Sequence, residues 1–177
     1  MTGFEHLHRA LANVEYQPSD GFARIVAHAK SFRQQCQFFF IGNGGSAAIA
    51  DHMAADWTIN GGFAAHSLSA SALTCAANDH GVEEMFAWPL QNLPRDKFDC
   101  LFAISSSGRS KNILKAVEAF RARGLPVVTL SGFDRDNELR KLGYVNFYVP
   151  SSRYGIVETC HLAILHAILD KVMETKE

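Results

Sequence analysis

Short apolar runs alternate along this chain with longer stretches in which apolar and polar residues recur at helical spacing. Five short runs are apolar or aromatic at most positions, which is typical of strands covered on both faces. They predict strands at Gln37–Ile41, Ala64–Ser69, Cys100–Ile104, Pro126–Leu130 and Tyr144–Val149. The helical spacing predicts helices at Gly3–Ala12, Asp20–Gln35, Ser46–Thr58, Ser71–Ala77, Val82–Leu90, Asn112–Arg123 and Tyr154–Met173. This alternation predicts an α/β fold with a parallel sheet.

No linker or internal repeat divides the chain. Its length of 177 residues is typical of one domain, and its contents of 47% hydrophobic and 20% charged residues are ordinary for a soluble globular protein. We therefore expect a single domain over residues 1–177. Its N-terminal helical region covers about 1–35 and its α/β core about 36–177.

The charge and the cysteines narrow the classes of partner and compartment. The net charge is −1 and no basic run occurs, so we expect no binding to nucleic acid or to a membrane surface. No apolar stretch approaches the roughly 20 residues that span a bilayer. Four widely spaced cysteines without a Cys-x-x-Cys pair are typical of free thiols in a reducing compartment, which predicts a cytoplasmic protein.

The first candidate for chemistry is the glycine turn Gly42-Asn43-Gly44-Gly45, which is followed by Ser46. It joins a predicted strand to a predicted helix. Backbone N–H groups at a helix N-terminus, with glycines that allow close approach, form a natural anion cradle. The glycine spacing is not Gly-x-Gly-x-x-Gly and no Walker lysine follows, so we expect no nucleotide cofactor.

A second strand-to-helix loop, Ser105-Ser106-Ser107-Gly108-Arg109-Ser110, carries four hydroxyls in six residues. These can surround a phosphate without formal charge, although Ser107 or Ser110 can equally serve as a simple helix cap. Arg109 either adds a charge to the site or is an exposed surface arginine. Because ligands bind at the carboxyl ends of parallel strands, two such loops in one sheet favour phosphate binding.

A metal or proton-transfer site is the third candidate. His52 and Asp56 are four residues apart on a largely apolar helix and share a face; a surface ion pair is the alternative. Glu158 and His166 interrupt the apolar last helix, about 12 Å apart along its axis, so one metal joins them only if their side chains lean together. The four residues suit Zn²⁺ or another first-row divalent ion. His161 points elsewhere, and we expect it in the core or at an interface.

These residues together resemble the sugar isomerase (SIS) domain family, and within it the phosphoheptose isomerases. The resemblance covers nearly the whole chain and is carried by Gly42–Ala48, His52 with Asp56, Asn78-Asp79, Ile104–Ser110 and Glu158–His166. It implies a five-stranded parallel sheet with helices on both faces. It also implies a homotetramer that uses the N-terminal helices, with active sites at subunit interfaces.

The resemblance also implies roles for particular residues. His52, Asp56, Glu158 and His166 would hold a zinc ion, and Asp56, Glu158 and His166 would act in catalysis. The residues expected to contact substrate lie in three segments: Asn43, Gly44, Gly45 and Ser46; Asn78 and Asp79, for which plain turn chemistry is the alternative; and Ser105, Ser106, Ser107 and Ser110.

Departures from the family pattern occur at the proposed metal site. The family usually has glutamate where Asp56 stands, glutamine where Glu158 stands and arginine where Asn60 stands. The segment between Asp56 and Asn78 is also shorter. Since Asp56 is one methylene shorter than glutamate, a general base there lies about 1 Å further from its proton. We hypothesise that Glu158 partly replaces that missing reach.

The sequence therefore predicts an aldose–ketose isomerase that acts through a metal-assisted enediol mechanism. The expected reaction converts sedoheptulose 7-phosphate to D-glycero-D-manno-heptose 7-phosphate, for lipopolysaccharide, capsule or another glycan. Two alternatives stay open. One is a non-catalytic tetramer that binds a phosphosugar or a protein such as the replication initiator, and the other is an isomerase of a different phosphosugar.

Overall fold

The computed structural model describes residues 2–93 and 96–174. Its helices are α1 (Gly3–Ala12), α2 (Gly21–Ser31), α3 (Gly45–Ile59), α4 (Ala70–His80), α5 (Ala87–Asn92), α6 (Lys111–Ala122) and α7 (Tyr154–Met173). Its strands are β1 (Glu15–Gln17), β2 (Gln37–Gly42), β3 (Ala64–Ser67), β4 (Cys100–Ser105), β5 (Val127–Ser131) and β6 (Val145–Tyr148). None of these helices is long and apolar enough to cross a membrane.

The strands form one sheet in the order β1-β6-β5-β4-β2-β3. The five predicted strands are all present and parallel, which confirms the predicted α/β fold. The sheet nevertheless has six strands rather than five, because β1 pairs antiparallel with β6. Glu15–Gln17 is three residues long and two of them are polar, so no strand pattern marks it. This segment becomes a strand only because it pairs with β6, which is far away in the sequence.

Alternation along β2 assigns its side chains to two opposite layers. Phe38 and Phe40 belong to the hydrophobic cluster that includes α2, α3 and α7, whereas Phe39 and Ile41 belong to the cluster with α5 and α6. Phe40 stacks on Phe102 of the neighbouring strand with ring centroids 4.7 Å apart. The sheet is thus covered on both faces, as its continuous apolar strands predict.

Three helix predictions need correction. The helix expected at Asp20–Gln35 ends four residues earlier, at Ser31. The helix expected at Ser71–Ala77 continues to His80, so Asn78 and Asp79 lie in its last turn and not in a loop. The helix expected at Val82–Leu90 is instead a short 3₁₀ turn at Val82–Glu84 followed by α5. Pro89 accounts for the break, because its ring clashes with the carbonyl four residues earlier and it lacks an N–H donor.

Helices α3 and α7 position the candidate site. They follow β2 and β6, so both begin at the carboxyl edge of the parallel sheet. They pack against each other: Gly45 at the start of α3 lies beside Glu158, and His52 further along α3 lies beside His166. The two helices therefore present two successive sites along one shared seam.

Candidate active site

The glycine turn after β2 has the backbone that the sequence predicts for an anion cradle. Gly44 adopts φ 55° and ψ −123°, a conformation that favours glycine. A β-carbon on Gly42 would lie 2.8 Å from the β-carbon of Ser46, so only glycine allows this close return of the chain. Helix α3 then begins at Gly45, and the N–H groups of Ser46 and Ala47 close the turn by donating to the carbonyl of Asn43 at 3.0 and 3.3 Å.

The serine loop after β4 forms the opposite wall. Gly108, at φ 64°, turns the loop, and its N–H donates to the carbonyl of Ser105 at 3.0 Å. The hydroxyls of Ser105 and Ser110 lie 3.1 Å apart. The hydroxyl of Ser106 is buried and, among the described residues, has no hydrogen-bond partner. A buried hydroxyl without a partner is a donor available to a ligand.

A pair of asparagines fastens the two walls together. The side-chain amides of Asn43 and Asn112 exchange two hydrogen bonds of 3.0 Å each. Asn112 also donates to the sulfur of Met85 at 3.0 Å. Asn112 carries no signal in the sequence, because one asparagine in the first turn of an ordinary amphipathic helix is not distinctive.

A cavity of about 340 Å³ lies between these walls. It is lined by Asn43, Gly44, Gly45, Ser46, Ile104, Ser105, Ser106, Ser107, Ser110, Tyr154 and Glu158. The structure thus brings all eight predicted substrate residues of the two loops into one cavity. Tyr154 was missed, since an aromatic residue at a helix start is unremarkable. Arg109 is not among the lining residues; it forms an ion pair with Asp134 at the surface.

Glu158 supplies the only acidic side chain among the described residues that line this cavity. It is half-buried and lies directly against the start of α3, where a β-carbon on Gly45 would lie 2.6 Å from its Oε1. No hydrogen bond or ion pair from a described residue neutralises it. A phosphate entering the cavity therefore meets neutral donors, the positive end of a helix dipole and one carboxylate.

His52, Asp56 and His166 come together one level further along the same helices. The two Nε2 atoms of the histidines are 3.2 Å apart, and Oδ2 of Asp56 lies 3.5 Å from His52 Nε2 and 3.6 Å from His166 Nδ1. Asp56 also accepts a hydrogen bond of 3.1 Å from Asn60, which orients the carboxylate. All three side chains are partly exposed.

This donor set fits a divalent metal. Each of the three residues offers one ligand atom, and these atoms all lie within 4.8 Å of one another. Ligands of one tetrahedral ion with bonds of about 2.0 to 2.1 Å lie about 3.4 Å apart. The distance of 3.5 Å between His52 Nε2 and Asp56 Oδ2 agrees with this value, and His166 would contribute one of its two ring nitrogens. Glu158, predicted as a fourth ligand, is not part of this group in the described chain, since its carboxylate lies beside Gly45 instead.

Two other predicted site residues lie outside the cavity lining. Asn78 and Asp79 are exposed at the end of α4, where the amide of Asn78 donates to Asp79 at 2.8 Å. This hydrogen bond, followed by one from Cys75, lowers the pKa of Asp79 below its ordinary value. The structure therefore places these two residues apart from the serine loop and the histidines of the same chain.

His161 belongs to the core, one of the two places that the sequence analysis left open. It is fully buried, and its Nε2 lies 3.2 Å from the carbonyl of Ser131. Burial, partly offset by this hydrogen bond, lowers its pKa to about 4. It is therefore neutral at physiological pH and takes no part in the cluster formed by the other two histidines.

Comparison with known proteins agrees with this geometry. The model of the SIS domain matches residues 4–132, which include both loops and helix α3. The chain belongs to the SIS domain family. The sugar isomerase resemblance of the sequence is confirmed by this match.

Two curated relatives in this family are phosphoheptose isomerases. One, from Helicobacter pylori, is 37% identical over 148 residues, which cover 80% of this chain and 76% of the relative. Another, from Colwellia psychrerythraea, is 34% identical over 164 residues, which cover 85% of this chain and 83% of the relative. These matches cover most of each chain rather than one motif.

A solved structure of phosphoheptose isomerase from Neisseria gonorrhoeae has the same fold. It superposes with a TM-score of 0.84 at 29% sequence identity, covering 96% of this chain and 94% of that one. The agreement extends beyond the residues that the SIS model matches and includes α7, which carries Tyr154, Glu158 and His166.

Proposed function

We propose that this SIS protein is a phosphoheptose isomerase, which interconverts sedoheptulose 7-phosphate and D-glycero-D-manno-heptose 7-phosphate. The observation that carries this proposal is the arrangement along α3 and α7: a neutral anion cradle at one level and a His-His-Asp cluster at the next. The names of the relatives select the substrate among the sugar phosphates that fit such a pair of sites.

The spacing of the two sites supports a long sugar. Gly45 and His52 are seven residues apart, which corresponds to about 10 Å along the helix axis. An extended chain advances about 1.2 Å per bond, so a heptulose 7-phosphate covers about 10 Å from its first carbon to its phosphorus. The phosphoryl group can therefore occupy the cradle while the carbonyl end of the open-chain sugar reaches the cluster.

The cradle holds the phosphoryl group with neutral donors. The N–H groups at the start of α3 and the hydroxyls of Ser105, Ser106, Ser107 and Ser110 surround it, and the Asn43–Asn112 pair keeps the walls at a fixed separation. Fixing one end of the sugar orients the carbons at the other end, which converts binding energy into a lower barrier.

Proton transfer falls to the cluster. Oδ2 of Asp56 removes the proton from the first carbon of the ketose and returns it to the second carbon, while Asn60 keeps the carboxylate in position. His166 moves a proton between the two neighbouring oxygens. A divalent ion held by His52, Asp56 and His166 would supply Lewis acidity at the carbonyl oxygen.

Glu158 has a proposed dual role as fourth metal ligand and second base. Both roles require its side chain to turn away from Gly45 and along α7 toward His166. We further propose that the metal is Zn²⁺ and that the chain forms one domain. We also propose a homotetramer with active sites at its interfaces, in the cytoplasm; the four free cysteines support that compartment.

The test of the proposal is turnover. Purified protein is incubated with sedoheptulose 7-phosphate and the formation of the aldose is followed by NMR, with and without a chelator. We expect conversion that the chelator abolishes and zinc restores. If metal-loaded protein binds the ketose phosphate without converting it, the protein is a phosphosugar receptor and the isomerase proposal is wrong.

A further inference from the structure

Phe133 has an unusual backbone for a bulky residue. Within residues 2–93 and 96–174 it is the one non-glycine residue at positive φ, with a value of 59°. The left-handed region is sterically unfavourable for a side chain of this size, and such outliers persist only where the surroundings enforce them. An outlier of this kind suggests a function for the group that it positions.

Hydrogen bonds on both sides hold Phe133 in this conformation. Its N–H donates to the carbonyl of Ser151 at 2.8 Å, and its own carbonyl accepts a hydrogen bond of 3.0 Å from the hydroxyl of Tyr148. Its ring packs edge-to-face against Tyr154, with centroids 4.7 Å apart and planes at 65°. The enforced backbone therefore places an aromatic support under the side chain of Tyr154.

Tyr154 forms part of the cavity wall at the start of α7. It lines the phosphate cavity together with the serine loop, yet 61% of the residue is exposed. Its hydroxyl has no hydrogen-bond partner among the described residues. It precedes Glu158 by one helical turn, so both side chains lie on the same face of α7. A supported aromatic ring with an unused hydroxyl thus stands at the rim of the proposed substrate site.

We propose that Tyr154 is a specificity-determining residue that contacts the sugar next to the phosphoryl group, and that Phe133 positions it. This inference rests on the proposed function. The face of the ring offers an apolar surface to the C–H groups of the sugar, and the hydroxyl offers a neutral donor to a sugar hydroxyl. Such contacts have particular value in a cavity whose described lining includes a carboxylate but no cationic side chain.

Changes at Tyr154 and changes in the two phosphate loops should affect the binding of inorganic phosphate and of a ketose phosphate differently. Inorganic phosphate carries no sugar carbons or hydroxyls, whereas a ketose phosphate places those next to its phosphoryl group in the cavity that Tyr154 lines. Loss of the ring therefore lowers affinity for the sugar phosphate alone. If Tyr154 had only a structural role, removing its ring would shift the serine loop and the glycine turn. The affinities for both ligands would then fall together.

The experiment measures both ligands by calorimetry in Tyr154→Ala, Tyr154→Phe, Phe133→Ala and the wild-type protein. Tyr144→Ala is the matched control, since Tyr144 is also an exposed tyrosine, at 51%, but lies beside Arg24 and away from the cavity. Thermal melting checks that each variant is folded. For Tyr154→Ala we expect sedoheptulose 7-phosphate to bind about tenfold more weakly, and inorganic phosphate to change less than about twofold.

The other variants separate the parts of the proposal. Tyr154→Phe keeps the ring, so its affinity for sedoheptulose 7-phosphate should fall by about threefold at most. Phe133→Ala should also weaken binding of sedoheptulose 7-phosphate, as Tyr154→Ala does. Tyr144→Ala should bind both ligands as the wild-type protein does. Equal losses for both ligands, or no loss for the ketose phosphate in Tyr154→Ala, would overturn the inference while leaving the isomerase proposal intact. Failure of the wild-type protein to bind the ketose phosphate would overturn both.

Discussion

The cradle and the histidine cluster both border helices α3 and α7, but different kinds of chemical group form them. The cradle consists of backbone groups and hydroxyls, and glycine conformations set its shape. The cluster consists of ionisable side chains on exposed helix faces, where rotamers set the distances. The first site is rigid and almost uncharged, whereas the second can rearrange when a ligand or ion arrives.

This difference matters for catalysis. A fixed cradle can hold the unreactive end of a substrate without consuming any charged group, which leaves the ionisable residues for the reacting end. Glu158 is the exception, since it is an ionisable residue located in the cradle. Variants that change one site and leave the other intact therefore test whether the two act as separate parts of one active site.

The largest effect is expected at the cluster. In His166→Ala we expect turnover to fall by about a thousandfold, because both a proton-transfer group and a metal ligand are lost. Bound zinc should fall in parallel, while affinity for inorganic phosphate stays within about twofold of wild type. His66→Ala is the control, since His66 is exposed and its ring nitrogen lies 3.1 Å from the side-chain oxygen of Gln37, away from the cluster. A loss of phosphate affinity in His166→Ala would contradict the separation of the two sites.

Acid stability distinguishes the cluster from His161, the other histidine of α7. His161 has a folded pKa of about 4, below the ordinary value of 6.5, so the unfolded chain binds the additional proton in that interval. The contribution of His161 to the free energy of unfolding is thus fully present above about pH 6.5. It falls by about 3 kcal/mol on acidification to about pH 4. His28, whose pKa burial also lowers, adds to the same trend.

Urea unfolding at about pH 7 and about pH 4 measures this dependence. In His161→Gln we expect most of the roughly 3 kcal/mol difference to disappear. If the variant and the wild-type protein lose equal stability in acid, His161 is not the group responsible. The result also separates acid unfolding from any loss of activity that originates at the cluster.

At the cradle, Gly42→Ala is expected to weaken phosphate binding by about a hundredfold, because the added β-carbon would lie 2.5 Å from the backbone carbonyl carbon of Ser46 and displace the turn. Zinc content should not change. Gly155→Ala on α7 is the control, since nothing lies within 4 Å of a β-carbon there. Unchanged phosphate affinity in Gly42→Ala would mean that the anion binds elsewhere.

The smallest effect concerns the one carboxylate of the cradle. In metal-free Glu158→Gln we expect phosphate to bind about tenfold more tightly, because a like charge a few ångströms away is removed. We also expect slower turnover, as the second base is lost. Asp170→Asn, an exposed change on the same helix, is the control. Unchanged or faster turnover in Glu158→Gln would exclude that catalytic role.

The sequence was sufficient for features that depend on neighbouring residues. The turn at Gly44, the hydroxyls of the serine loop and the five parallel strands all follow from local patterns. Strand β1 and the Asn43–Asn112 bridge do not, since each depends on a partner far away in the chain. The sequence could identify His52 and His166 as candidate ligands of one site. It could not predict the distance between them, because that distance depends on how α3 packs against α7.

The most direct test is a crystal structure of the protein with zinc and sedoheptulose 7-phosphate. We predict the phosphoryl group between the Gly44–Ser46 turn and the serine loop, and the carbonyl end beside His52, Asp56 and His166. A phosphoryl group bound outside the cradle, or zinc bound away from these three residues, would contradict the account of one substrate held across two sites.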